Sequence, residues 1–233
     1  MALFTFHCCA TSTIGTTVRA LCRPPTTQQV AGLLHAECMT RMTLGAPIMS
    51  PARMQLRHLT MFAAWESQGA IDDFLAGTSL GRALDTGWHV RMTFQRRWGR
   101  VSEFAWLPES VGEQDPAAPV VAVTLARMRL WEVPRFIRWG RPVEELVRDH
   151  PGTTLAMAAM RLPRTVSTFS VWTSQQEMVD MVRGHSAVPR PERHAAAMAE
   201  RQRKDFHFEF TTLRFRPIAE HGSWEGRAHI VPP

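Results

Sequence analysis

The sequence contains no tyrosine and only one lysine, Lys204, so arginine supplies nearly all of its 27 basic residues. These arginines are spread along the chain among acidic residues and form no long basic run. Nucleic-acid binding usually requires a clustered basic stripe with aromatic residues that stack on bases. We therefore expect no nucleic-acid partner. The net charge of +6 indicates solvated faces and a few arginines that hold carboxylates.

Long apolar runs are also absent. No window has about 18 uninterrupted apolar residues, so we expect no transmembrane segment. Met1 leads directly into a strand-like segment, Ala2–Phe6, which does not have the pattern of a signal peptide. The four cysteines form no C-x-x-C pair, which argues against zinc and redox chemistry. These features predict a cytoplasmic protein with reduced thiols.

Two common catalytic signatures are missing. The chain has no G-x-S-x-G nucleophile elbow and no G-x-G-x-x-G phosphate loop, so serine hydrolase and dinucleotide chemistry are not expected. Eight tryptophans, twelve phenylalanines and thirteen methionines provide instead a large apolar volume. Such residues form a core or an adaptable pocket for a hydrophobic ligand.

A weak internal repeat organises the chain. Phe62 and Trp65 recur at one constant offset as Phe169 and Trp172, and each tryptophan begins a Trp-x-Ser turn. The serine suits the N-cap of the helix-like stretch that follows in both copies. A shared order of elements favours a true duplication over chance recurrence in a tryptophan-rich chain.

Each copy has the same predicted order of elements. An opening strand is followed by an irregular or helical connection, which spans Gly15–Met42 in one copy and Val133–His150 in the other. A second strand then ends at the Trp-x-Ser turn. A helix and a last strand, Val90–Phe94 or Phe208–Phe215, complete the copy. This order is typical of a split βαβ, ferredoxin-like unit.

The repeat predicts the domain organisation. We expect a first ferredoxin-like repeat over residues 1–111, a polar linker over 112–119 and a second repeat over 120–233. A lone ferredoxin-like sheet leaves one face uncovered, so two sheets in one chain can pack face to face around an apolar hollow. The predicted fold class is α+β, with tandem ferredoxin-like repeats that form an intramolecular dimeric α+β barrel. An insertion over 184–194 lengthens the second repeat and predicts the ligand site there.

Several segments resemble the spheroidene monooxygenase family: Trp88–Gly99, Val121–Arg127, Phe169–Trp172 and Arg214–Gly226. The resemblance covers most of residues 55–227 and implies a haem-dependent oxygenase with a hydrophobic substrate on a dimeric α+β barrel. The same superfamily includes haem-degrading monooxygenases, chlorite dismutases and cofactor-free quinol monooxygenases. The fold alone therefore leaves the chemistry open.

The second repeat contains the residue types that a haem b site requires. Haem requires an oriented neutral imidazole, apolar walls and cations for its propionates. His194, Met198 and Arg201 are spaced to share one helix face, so we predict His194 as the axial metal ligand. Arg193 and Arg201 would pair with propionates. His185, next to a glycine, is the alternative axial ligand.

Two further site predictions concern the last strand. The alternation around His207 and Glu209 places both side chains on one sheet face, where they could act as catalytic acid–base groups. A non-haem iron site remains an alternative. It would combine His194 with either His185 or His207, and Glu200 or Glu209 would supply the carboxylate.

The leading hypothesis is a haem-dependent, monooxygenase-like oxidoreductase that acts on a small or hydrophobic organic substrate, with haem between the helices and the sheet of the second repeat. The alternatives are a cofactor-free oxygenase or isomerase of the same fold and a non-enzymatic protein that binds a hydrophobic ligand. A redox partner and a homo-oligomer are further hypotheses.

Overall fold

The computed structural model describes residues 2–47 and 50–233. Over these residues the strands form a closed antiparallel barrel. The strands are β1 (Leu3–Ala10), β2 (Leu33–Met42), β3 (Gln55–Trp65), β4 (Trp88–Arg100), β5 (Val120–Met128), β6 (Thr153–Arg161), β7 (Thr165–Trp172) and β8 (His207–His221). The helices are α1 (Ile14–Cys22), α2 (Gln68–Gly77), α3 (Ser79–Asp85), α4 (Val133–Asp149), α5 (Gln175–Arg183) and α6 (Arg193–Arg203).

Each half of the barrel is a ferredoxin-like sheet. The strand order is β4-β1-β3-β2 in the first half and β8-β5-β7-β6 in the second, with helices after the first and third strand of each half. The pairs β2–β6 and β4–β8 join the two sheets. The predicted fold class, an intramolecular dimeric α+β barrel built from tandem ferredoxin-like repeats, is confirmed.

The internal repeat is visible in the strand register. Trp65 of β3 pairs with the first residue of β1, and Trp172 of β7 pairs with the first residue of β5. The side chains of Ser67 and Ser174 accept hydrogen bonds from backbone N–H groups in the first turns of α2 and α5. The N-caps predicted at both Trp-x-Ser turns are therefore confirmed.

Two of the eight strands in the described residues are not predicted by the sequence pattern. Strand β2 lies inside the segment Gly15–Met42, which was predicted to be an irregular or helical connection. Residues 36–40 of this strand are all buried, and they include the charged Glu37, so the sequence shows no clean alternation between apolar and polar residues. Strands β6 and β7 were predicted as one strand but are separated by a turn at residues 162–164.

The barrel interior is a packed core, so the predicted apolar hollow between the two sheets is wrong. Phe6 stacks on Phe169 of the other repeat with 3.8 Å between ring centres, and Phe4 lies 4.9 Å from Phe215. An eight-stranded barrel has an interior just wide enough for side chains to fill it. Space for a ligand must therefore lie outside the sheet.

The helices cover the outer faces of the two sheets. In the first repeat, Trp65, Ile71, Phe74 and Leu84 form a continuous buried cluster between sheet and helices. In the second repeat the corresponding cluster is smaller and includes Trp172 and Met178. None of the helices within residues 2–47 and 50–233 is long and apolar enough to cross a membrane.

A buried ion-pair cluster at one end of the barrel joins the two repeats. Glu37 of β2 is only 1% exposed and pairs with Arg127 of β5 and with Arg161 of β6, the latter at 2.7 Å. Glu103 also accepts from Arg127 at 2.7 Å, and His35 donates to Glu37 at 3.3 Å. Ligand atoms of His35, Glu37 and Glu103 lie within 4.8 Å of one another, but the two arginines already balance the carboxylate charges.

Replacement of Glu37 by Gln should destabilise the protein by about 3 kcal/mol, because Arg161 loses its carboxylate partner and Arg127 keeps only Glu103. The measurement is the free energy of unfolding from urea denaturation. Asp149→Asn removes an exposed ion pair with Arg148 and should cost less than about 0.5 kcal/mol. Equal losses in both variants would contradict a structural role for the cluster.

The stability difference between wild type and Glu37→Gln should depend on pH. Burial raises the pKa of Glu37, but the hydrogen bond from His35 and the charges of Arg127 and Arg161 outweigh it and hold the pKa below its ordinary value. A carboxylate with a lowered pKa stabilises the fold above its unfolded pKa, and this contribution disappears as the pH falls. The stability difference between wild type and Glu37→Gln should therefore be largest at neutral pH and shrink below about pH 4.

Candidate functional site

A cavity of about 780 Å³ lies between the outer face of the second sheet and helices α4, α5 and α6. Strands β5, β7 and β8 form its floor, and most of its wall is apolar. Representative lining residues are Ala122, Ala126, Val143, Met178, Met181 and Phe210. Its volume falls in the range of about 300–1,000 Å³ that is typical of small-molecule and cofactor sites.

Small side chains on the second sheet create this space. In the first repeat, His7 of β1 and His89 of β4 pair across the sheet, and their imidazoles stack with 4.7 Å between ring centres. The register of the second repeat places Thr124 and Thr212 at these positions, and both line the cavity. One repeat therefore fills the gap between sheet and helices, whereas the other leaves it open.

His194 lies in the first turn of α6 and lines the cavity. Its Nδ1 lies 3.0 Å from the carbonyl oxygen of Val182, at the end of α5, and donates a hydrogen bond to it. The unprotonated nitrogen of the neutral ring is then Nε2, which has no hydrogen-bond partner among the residues described. Burial lowers the pKa of His194, and the bond to Val182 offsets this only in part, so the ring is neutral at pH 7.

Two other predicted cofactor-binding residues share this cavity. Met198 and Arg201 line it from the same helix as His194. Arg201 is already engaged, because it pairs with Asp205 at 3.3 Å and its guanidinium carbon lies 3.7 Å from the centre of the Phe210 ring. Its position fixes the end of α6 against the start of β8.

Two predicted cofactor-binding residues, His185 and Arg193, do not line this cavity. His185 is exposed and does not line the cavity, because the chain leaves α5 through the left-handed Gly184 and carries the side chain outward. Arg193 approaches Glu145 of α4 at 4.0 Å and also does not line the cavity.

His207, the first residue of β8, forms a second imidazole site in the cavity. Its Nδ1 lies 3.1 Å from Asp205 Oδ1, and its ring packs against Phe136 and Phe210. The residue is 3% exposed, and Nε2 is buried without a hydrogen-bond partner in the described chain. Burial lowers the pKa of His207 to about 4 despite the nearby Asp205 charge, so Nε2 carries a free lone pair at neutral pH.

Glu209 does not share the sheet face of His207, and the predicted alternation is wrong at this point. Arg127 pairs with Glu209, but the next residue pairs with His207, so Phe208 is an extra residue in a β-bulge. The bulge turns Glu209 away from the cavity. Its carboxylate accepts from the Ser102 backbone N–H at 3.1 Å and from the Ser102 hydroxyl.

The residues proposed for a non-haem iron site do not come together. Glu200 pairs with Arg135 and Arg203, each at 2.6 Å. His194 and Arg201 are about 10 Å apart along α6. Arg201 pairs with Asp205, which also contacts His207, so His194 and His207 lie near opposite ends of this helix. Within the described ranges, the group of possible metal ligands that lies close together is the one at the barrel end.

The cavity wall also contains a group of two arginines and a tryptophan that was not predicted from the sequence. Arg96 and Arg214 each place a guanidinium over the ring of Trp98, at 4.4 and 4.1 Å from its centre. All three residues line the cavity. The sequence contains one indication of this group, the alternation of β8. Arg214 and Thr212 flank the buried Leu213, so their side chains point to the outer face of the sheet.

The fold and the cavity together define an α+β barrel protein with a pocket between one sheet and its helices. No family model matches the chain. It is 29% identical to spheroidene monooxygenase from Rhodobacter capsulatus over 133 residues, which are 56% of this chain and 51% of that protein. The matched region thus spans about half the length of this curated relative.

Two solved structures from Listeria monocytogenes are similar over most of the chain. One is a ferredoxin-fold protein related to antibiotic biosynthesis monooxygenases, with 9% identity, a TM-score of 0.33 and coverage of 94% of this chain and 96% of that one. The other is a haem-degrading enzyme, with 11% identity, a TM-score of 0.30 and coverage of 93% and 100%.

His207 should titrate near pH 4 instead of near the ordinary histidine value of 6.5, because its ring is buried among aromatic side chains. The measurement is an NMR titration of histidine ring signals, with the His207 signal identified by its loss in His207→Gln. Asp205→Asn should lower the midpoint further, because the Asp205 charge favours the protonated ring. A midpoint near 6.5 would contradict the described burial.

Proposed function

We propose that the protein is a monooxygenase-like oxidoreductase that acts on a small or hydrophobic organic molecule in the cavity of the second repeat. Two findings support this proposal: the similarity to spheroidene monooxygenase and a largely apolar cavity that contains two neutral imidazoles. The observation that carries it is the geometry of His194: its Nδ1 donates to the Val182 carbonyl, while its Nε2 has no hydrogen-bond partner in residues 2–47 and 50–233.

The residues around His194 fit a haem b. A metal-binding histidine typically donates its other ring N–H to a carbonyl or carboxylate, as His194 does to Val182. Ala197 and Met198 follow on the same helix and provide a close apolar wall. Bound haem would supply the activation of oxygen, while the chain would hold the cofactor, exclude water and position the substrate.

His194→Ala should weaken haemin binding tenfold or more, because it removes the imidazole that would bind the iron. The measurement is titration of the purified protein with haemin, followed by the shift of the Soret band. His185→Ala is the matched control, since His185 is exposed and lies outside the cavity. An unchanged Soret band in His194→Ala would refute ligation by this residue.

The His207–Asp205 pair favours a second candidate function, a cofactor-free oxygenase or isomerase. Asp205 orients the ring, and the free Nε2 faces an apolar environment, which is the arrangement of a general base. In this case the purified protein would be colourless and metal-free while active, and His207→Gln would abolish activity although His194→Ala would not. The cytoplasmic location, the redox partner and the homo-oligomer remain predictions.

A further inference from the structure

Arg214 is a buried cation that has no counter-ion among the described residues. The residue is 9% exposed and lines the cavity from the middle of β8. Within residues 2–47 and 50–233 its guanidinium forms no hydrogen bond and no ion pair, and its contact is with the ring of Trp98. A buried arginine is normally paired, because the removal of its charge from water is costly.

The neighbouring charges have the same sign. Arg96 and Arg183 also line this part of the cavity and are exposed. Burial lowers the pKa of Arg214 to about 10, and the positive charges of Arg96 and Arg183 contribute to the shift. The three guanidinium groups thus produce a positive potential at one end of a largely apolar space.

The equivalent arginine of the first repeat has a carboxylate partner. Arg91 pairs with Thr5 of β1 in the register in which Arg214 pairs with Ala122 of β5. Arg91 has a carboxylate partner, Asp72 of α2, at 2.6 Å. The arginine is therefore present in both repeats, and in the first repeat an acidic side chain of the covering helix neutralises it.

The second repeat lacks that acidic side chain. Helices α2 and α5 begin at equivalent glutamines, Gln68 and Gln175, after equivalent N-caps. The fifth residue of α2 is Asp72, whereas the fifth residue of α5 is Val179, which lines the cavity. The second repeat thus keeps the arginine but has an apolar residue in place of its carboxylate partner.

We propose that Arg214 binds a carboxylate group of the ligand, which takes the place that the Asp72 side chain occupies in the first repeat. Arg96 and Arg183 strengthen the attraction, and the apolar remainder of the cavity holds the ligand body. The ligand is therefore an apolar molecule with a carboxylate. The inference rests on the proposed function only in that the cavity is the ligand site, and it requires neither haem nor catalysis.

The test compares an acid with its ester. Parinaric acid and methyl parinarate are fluorescent probes with the same apolar chain, and only the acid carries a carboxylate. We expect wild-type protein to bind the acid at least tenfold more tightly, and Arg214→Gln to remove most of this preference while ester affinity changes less than twofold. Equal affinity of wild-type protein for acid and ester would overturn the proposal.

Two further variants control the test. Val179→Asp restores the carboxylate that α2 carries, so it should weaken acid binding as strongly as Arg214→Gln does. Arg216→Gln removes an exposed arginine of the same strand that does not line the cavity, and it should leave both affinities unchanged. An equal effect of Arg216→Gln and Arg214→Gln would show that overall charge alone attracts the acid, which contradicts the proposal.

Haemin and haemin dimethyl ester identify the source of the carboxylate. If Arg214→Gln weakens the binding of haemin but not of its ester, the site holds a cofactor propionate. If haemin binding is unchanged while parinaric acid binding falls, the site holds a substrate carboxylate. Both results support the Arg214 site, whereas His194→Ala tests haem ligation separately, so failure of one proposal can be distinguished from failure of the other.

Discussion

Closure of the barrel is the constraint on which the rest of the structure depends. Two four-stranded sheets leave four unpaired edges, and the pairs β2–β6 and β4–β8 remove them all. Closure brings the inner faces of both sheets into one core, in which phenylalanines of the two repeats stack on each other. The interior is therefore full, and the large apolar cavity lies instead between the second sheet and its covering helices.

The two repeats use that outer layer differently. In the first repeat, aromatic and aliphatic side chains fill the gap between sheet and helices, and stacked imidazoles add to them. In the second repeat, threonines replace those imidazoles, and α6 extends the helical layer. The outer layer of the first repeat is thus packed, whereas that of the second repeat contains a cavity.

Burial determines the chemistry available in the cavity. It keeps His194 and His207 neutral at physiological pH, because a charged imidazole would lose its hydration. Each ring uses Nδ1 for a protein acceptor, a carbonyl for His194 and a carboxylate for His207. Within the described residues neither Nε2 has a hydrogen-bond partner, so each ring offers one lone pair that is suited to a metal ion or to a proton of the substrate.

The sequence by itself determined the duplication, the two Trp-x-Ser turns with their helix caps, and the α+β barrel class, because these depend on local patterns and on their repetition. It also placed His194, Met198 and Arg201 on one helix face, since helical periodicity is local. It could not determine that β2 is a strand, because burial on both faces and an internal Glu37 remove the usual alternation.

Only the tertiary structure decided which predicted residues meet. The bulge at Phe208 separates Glu209 from His207, and the turn at Gly184 carries His185 outward. Neither feature can be recognised from the neighbouring residue types. The tertiary structure likewise decided that Arg214 has no ion-pair partner among the described residues, because α5 presents Val179 to the cavity that Arg214 lines. Contacts between residues that are distant in the chain are set by tertiary packing, so the pattern of residues along the chain does not predict them.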